Sequence, residues 1–127
     1  MDWGNNSFDF ANVERELRES GDDALLRMCA RLDEGDLEAL EFVGAAYLRG
    51  SNGLRADFDK AFTFLQIAAN AGSTEALLHL GDCYAYGIGV AADAETARSY
   101  YRLAAQSPQA SVRETALRQL KRLDENE

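Results

Sequence analysis

Two stretches of the chain are variants of one pattern, and that repetition constrains the fold more than any other feature. Residues 35–50, GDLEALEFVGAAYLRG, lie over residues 72–87, GSTEALLHLGDCYAYG, at an offset of 37. Gly35 meets Gly72, Ala39 meets Ala76, Leu40 meets Leu77, Val43 meets Leu80, Gly44 meets Gly81, Tyr47 meets Tyr84 and Gly50 meets Gly87. The segments that follow, DFDKAFTFLQIAANAG and DAETARSYYRLAAQSP, match at an offset of 36, so that Asp57 meets Asp93, Ala61 meets Ala97, Leu65 meets Tyr101 and Ala68-Ala69 meets Ala104-Ala105. The one-residue slip falls between Gly50–Asp57 and Gly87–Asp93, where a loop tolerates an insertion. A unit of this length cannot bury its apolar face alone and must stack on its neighbour.

Each unit reads as two helices. Helix A of the second repeat starts after Ser73, an N-cap residue, and stops at Gly87. Its apolar positions Ala76, Leu77, Leu80 and Tyr84 recur at helical spacing. Helix B begins near Asp93 and runs to about Gln106. Gly44 and Gly81 sit mid-helix, where glycine costs about 1 kcal/mol against alanine; its recurrence implies that a neighbouring helix approaches closely there. Residues 108–124 form a last helix, with Ser107 as N-cap, Pro108 at its first position and Ala116, Leu117, Leu120 and Leu123 as its apolar stripe. Ahead of the repeats, residues 22–34 read as a degenerate helix B preceded by a helix at about 9–19. The expected architecture is all-α, about seven helices in antiparallel hairpins: capping helices over 1–34, repeats over 35–71 and 72–107, and a capping helix over 108–127, together one domain. Trp3, Phe8 and Phe10 are expected to fold back over the exposed end.

Composition narrows the function. The chain carries 22 acids and 13 bases, and residues 1–41 alone hold 12 acids against 4 bases. A negative field of that kind repels phosphate backbones and anionic lipid and steers in a basic protein surface; it also simply keeps a small protein soluble. No apolar run approaches the roughly 20 residues of a membrane span, and MDWGNNSFDF lacks the features of a signal peptide, so a cytoplasmic location is expected. Cys29 and Cys83, the two cysteines, fit reduced, buried side chains.

The pattern A-L-x-x-L/V-G-x-x-Y-x-x-G, a loop, then A followed after six residues by A-A resembles the Sel-one-like repeat, a relative of the tetratricopeptide repeat. Its second copy is the fuller, with Ala76, Leu77, Leu80, Gly81, Tyr84, Gly87, Gly89, Val90, Ala97, Tyr100, Tyr101, Ala104 and Ala105 in place; the first has a longer loop and Phe64-Leu65 in place of a tyrosine pair. The resemblance implies a right-handed superhelix of helical hairpins acting as a protein–protein adaptor. Small bacterial members of that family include immunity proteins that neutralise a toxin.

Chemistry is hard to find in the residues. His79 and Cys83 stand one helical turn apart, but no third group is evident to orient the histidine. Gly87-Ile88-Gly89 follows a helix, not a strand, and reads as the turn between helices rather than a phosphate loop. The acids around 33–41 lack the ordered spacing of a calcium loop. The chain is therefore expected to be no enzyme and to need no cofactor or metal. Helix A lines the inner face of helical-hairpin solenoids, and its positions not used for packing are Glu38, Phe42, Ala45 and Arg49 in the first repeat and Glu75, His79, Asp82 and Tyr86 in the second. With Glu41 they form an acidic surface with aromatic anchors, the composition of an interface; Phe42 is equally at home in a core. The expectation is a monomer that binds one basic protein, as a dedicated inhibitor such as an immunity protein occluding a toxin's active site, with a general adaptor for several clients as the alternative.

Overall fold

Seven α-helices account for the regular structure in a computed structural model that describes residues 10–125: α1 (Phe10–Glu19), α2 (Asp23–Asp33), α3 (Leu37–Arg49), α4 (Phe58–Asn70), α5 (Thr74–Tyr86), α6 (Ala94–Ala104) and α7 (Ala110–Glu125). Among the described residues there is no strand. The class is all-α, built from helical hairpins as the repeat demands. The chain divides into two compact units, Met1–Phe64 and Leu65–Glu127, the boundary falling inside α4. Trp3, Phe8 and the Phe10 side chain lie outside the described residues, and with them the expectation that they cover an end.

Local chemistry sets the helix ends. The side chains of Asp22, Asp36, Ser73 and Asp93 accept from Leu25, Ala39, Ala76 and Thr96 N–H groups, meeting donors that a helix start leaves orphaned. Gly50 and Gly87 end the two A helices in the left-handed conformation, at φ 66° and 67°, where a side chain would be strained. One further bond recurs: Asp57 N–H donates to the Tyr47 carbonyl at 2.9 Å, and Asp93 N–H to the Tyr84 carbonyl at 2.8 Å. Both loops are thus closed by the same bond between equivalent residues, so the one-residue length difference is absorbed within the loop and the helices keep their register.

The extra length in the first loop has its own use. Asn52, itself at φ 59°, donates from Nδ2 to Asp22 Oδ2 at 3.0 Å, and a Cβ on Gly53 would come within 2.3 Å of the Ser20 carbonyl oxygen. The loop therefore grips the corner between α1 and α2. Below it, Glu16 of α1 accepts at one oxygen from the Tyr47 hydroxyl and from Lys60 Nζ, both at 2.7 Å. Lys60 Nζ lies 5.5 Å from the centre of the Tyr47 ring, which stacks on Phe64. Val13, Leu17, Leu25, Leu32, Leu40 and Val43 belong to the buried interior of this unit.

In the second unit the mid-helix glycine finds its reason. The Tyr101 ring of α6 lies directly on Gly81 of α5: a Cβ there would stand 2.6 Å from Cε1 and 2.8 Å from Cδ1. What approaches is an aromatic ring from the partner helix of the same hairpin, not a helix backbone. The Tyr101 hydroxyl then donates to Asp82 Oδ1 at 2.5 Å. Tyr84 stacks on Tyr100, whose hydroxyl accepts from Gln66 at 3.3 Å. Arg98, buried on α6, reaches Asp124 near the end of α7 at 3.4 Å.

Helix α7 departs from expectation in two ways. It starts at Ala110, with Pro108 and Gln109 in a bend before it, because the buried Ser107 hydroxyl accepts from Gln109 N–H at 3.0 Å and pairs with Thr74 Oγ1 at 2.8 Å. The first backbone bond of the helix then runs from Arg113 N–H to the Gln109 carbonyl. Its buried stripe is Val112 and Ala116, with Leu120 and Leu123 half-buried, whereas Leu117 is 53% exposed. Leu117 stands about 100° around the helix from Ala116, which turns it away from α5 and α6.

Two expectations follow. Gly81→Ala should lower stability by about 2 kcal/mol in urea unfolding, because overpacking against a fully buried, hydroxyl-tethered ring outweighs the gain of about 1 kcal/mol in helix propensity. Burial pushes the Glu16 carboxyl up, but the bonds from Lys60 and Tyr47 outweigh it and hold the group below its ordinary value of 4.5. A carboxyl lowered in the folded state stabilises above its unfolded value, and that contribution fades as pH falls through the folded one. Glu16→Gln should therefore cost about 1 kcal/mol at neutral pH, allowing for solvent screening of a group more than a third exposed, and the gap to the parent should close in acid below pH 4.5.

Candidate functional site

The residues singled out from the A helices fall on α3 in the first unit and α5 in the second. On α3, Glu38 and Arg49 are exposed, Glu41 and Phe42 are half-buried, and Ala45 is buried, so it offers nothing to a partner. Glu38 is already engaged: Arg31 Nη2 lies 3.3 Å from its Oε2 while holding both oxygens of Asp36 at 3.0 Å. The Asp36 carboxyl is held below its usual range, first by the Ala39 N–H it caps and then by Arg31. On this helix the surface is a charged network beside a partly open phenylalanine.

The second unit gathers its set into one place. Glu75, His79 and Asp82 line a cavity of about 300 Å³ along the crease between α5 and α7, with Leu78 and Val112 as its apolar floor. Ser111 and Thr115 form the opposite wall. A second cavity of about 300 Å³ continues along the same two helices, lined by Tyr86 and Ala85 on one side and Gln119, Arg122 and Leu123 on the other, with Tyr101 also contributing. Tyr86 is 58% exposed at its edge. Between the cavities Gln119 Nε2 donates to Asp82 Oδ1 at 3.4 Å, the same oxygen that takes the Tyr101 hydroxyl. Burial and then Asp82 push the Tyr101 phenol well above its ordinary value, so it stays a donor.

Expected from the sequence only as a cap, the last helix contributes none of the candidate site residues, although it forms one wall of the crease. A signal was present: Val112 and Ala116 occupy in α7 the places of Ala76 and Leu80 in α5, which makes α7 a third A helix and aligns Ser111, Thr115, Gln119 and Arg122 along the crease.

His79 and Cys83 do not form a reacting pair. Cys83 is fully buried, and burial with the neighbouring Asp82 pushes its thiol up to about 11, away from thiolate. His79 faces the crease, whose lining excludes Cys83. Gly87-Ile88-Gly89 is a helix C-cap, with Gly87 and Ile88 N–H groups both on the Cys83 carbonyl. Among the described residues no group of three or more His, Cys, Asp or Glu is placed to hold a metal, and no helix is long and apolar enough to cross a membrane. What the crease can do chemically is hold a cation beside two carboxylates and bury an apolar side chain.

The family model for the Sel1 repeat matches residues 37–73 and 74–108. An uncharacterized protein of Neisseria meningitidis serogroup B is 38% identical over 74 residues, 58% of this chain but 16% of that protein, so the chain spans a small part of its relative's length. No solved structure matches with significance.

Native protein should be labelled at Cys83 by a thiol reagent roughly tenfold or more slowly than unfolded chain, since the reagent needs a thiolate and access and burial withholds both. Rapid native labelling would reopen the case for a reactive cysteine.

Proposed function

From the premise that this chain belongs to the Sel1 repeat family and is a protein–protein interaction module, we propose that it is a dedicated inhibitor of one basic protein, of the kind represented by bacterial immunity proteins that neutralise a toxin domain. The observation that carries this reading is that the A helix of each repeat presents carboxylates with an aromatic among them: Glu38 and Glu41 with Phe42 on α3, and Glu75 and Asp82 with Tyr86 on α5. The excess of acids in residues 1–41 adds a field of the same sign. Such a surface raises the encounter rate with a basic face and holds it through desolvated aromatic anchors. The mechanism is occlusion: the module seats on the basic substrate channel or active site of its target in a one-to-one complex in the cytoplasm, with no catalytic step and no cofactor of its own.

A second reading, a general adaptor for several clients, is favoured by one fact: the related stretch in the Neisseria protein is a small part of a longer chain. Repeats of this kind thus occur as modules within larger proteins.

The two readings separate in a pull-down of tagged chain from its native cell, washed at rising salt. The inhibitor reading expects one stoichiometric basic protein that survives high salt, is lost when Glu38→Lys or Glu75→Lys replaces the parent, and has its own activity blocked by the purified chain. Several substoichiometric clients, all released by salt and indifferent to single reversals, would establish the adaptor instead.

A further inference from the structure

The crease between α5 and α7 is graded along its length, and the grading specifies more than a basic partner. At one end Glu75, His79 and Asp82 stand over Leu78 and Val112. At the other the charged group is Arg122, beside Tyr86 and Leu123. Asp82 is shared between the core and the crease: the Tyr101 and Gln119 bonds both end on Oδ1, which fixes the carboxylate and leaves Oδ2 for a ligand. Glu75 and Arg122 are both exposed.

We infer that this crease binds an extended segment of the partner that carries a lysine or arginine and, three residues away, an aspartate or glutamate, the cation going to Glu75 and Asp82 and the anion to Arg122. The inference rests on the protein-binding function proposed above and adds the chemistry of the bound segment.

The conformation follows from width. Gln119 and Asp82 bridge the crease at 3.4 Å, so α5 and α7 touch across it, and a helix of about 10–12 Å diameter cannot enter. A chain in the extended polyproline II form can lie along it, and with three residues to the turn it directs every third side chain into the crease. The spacing follows from the rise of the walls. His79 to Tyr86 on α5 and Thr115 to Arg122 on α7 are each seven residues, about 10.5 Å of helix. A polyproline II segment covers that length in about three residues at roughly 3.1 Å each. The charge follows from complementarity: a cation at the Arg122 end or an anion at the Glu75 end meets a like charge. The apolar floor at Leu78 and Val112 accommodates the methylene stem of the lysine or arginine while its head stays with the carboxylates.

The test uses the whole chain as bait for a library of random linear peptides displayed on phage, followed by fluorescence anisotropy with the enriched sequences. The expected result is enrichment of a basic and an acidic residue three positions apart. Glu75→Lys and Arg122→Glu should each weaken the selected peptide roughly tenfold or more, and a peptide with its two charges exchanged should regain binding to the double variant. Both substitutions lie on the surface, and unchanged circular dichroism and urea midpoints establish that the fold is kept. Absence of enrichment, a motif without the paired charges, a seven-residue spacing that signals a helix lying over the crease, or binding indifferent to both variants would overturn the inference. A cellular partner that resists high salt, is lost with Glu38→Lys or Glu75→Lys and yet binds Arg122→Glu as well as the parent would sink the crease while leaving the inhibitor reading standing. Failure of the parent chain to retain any partner would sink the inhibitor reading, whatever the peptides do.

Discussion

A tyrosine ring resting on a glycine holds the second unit together and shapes its surface at the same time. Tyr101 reaches Asp82 because Gly81 has no side chain to hold it off. The ring supplies a buried apolar face, while its hydroxyl meets a carboxylate that would otherwise sit near apolar walls with one partner fewer. The hairpin of α5 and α6 therefore does two things with one contact: it closes the core, and it sets the rotamer of an acid on the crease beyond. Packing density and the geometry of the binding surface are linked through a single side chain.

The first unit solves the same problem with charge. Tyr47 occupies the position equivalent to Tyr84, yet it is only 1% exposed and delivers its hydroxyl to Glu16 on α1, where Lys60 joins it. Three helices meet at one carboxylate oxygen. A buried phenol needs an acceptor, a partly buried glutamate needs donors, and Lys60 lies near both the carboxylate and the tyrosine ring. Helix α1 is thereby bound to this unit by specific polar bonds as well as by Val13 and Leu17.

Features determined by neighbours in the chain were legible in the sequence: the N-caps at Ser73 and Asp93, the glycine ends at Gly50 and Gly87, and the number and order of helices. What the residues alone left open depends on partners far along the chain. Nothing local distinguishes Tyr47 from Tyr84, because the acceptor that buries the first lies 31 residues away. Ala45 sits on the stripe expected to be open yet is buried, because burial is decided by what packs against a residue and not by its place on a stripe. Leu117 was assigned to the core by hydrophobicity, and the phase of α7, set by Val112 and Ala116, turned it outward. The candidate residues of α5 fall on one stripe, but half of their crease belongs to α7, where Leu117 and Leu120 stand in place of the glycine and tyrosine that mark the repeat.

The two inter-helix loops, closed by the same bond, have been put to opposite uses. Residues 51–54 are committed to the α1–α2 corner through Asn52 and Gly53, so their sequence is constrained by a distant part of the fold. Residues 88–92 are held at the base, by Ile88 on the Cys83 carbonyl and Asp93 on the Tyr84 carbonyl, and Gly89, Ala91 and Ala92 are exposed. That makes the second loop the natural place for the protein to acquire or lose sequence. A lineage could lengthen it, or an engineer splice a tag or reporter into it, while the bond at its base keeps the flanking helices in step.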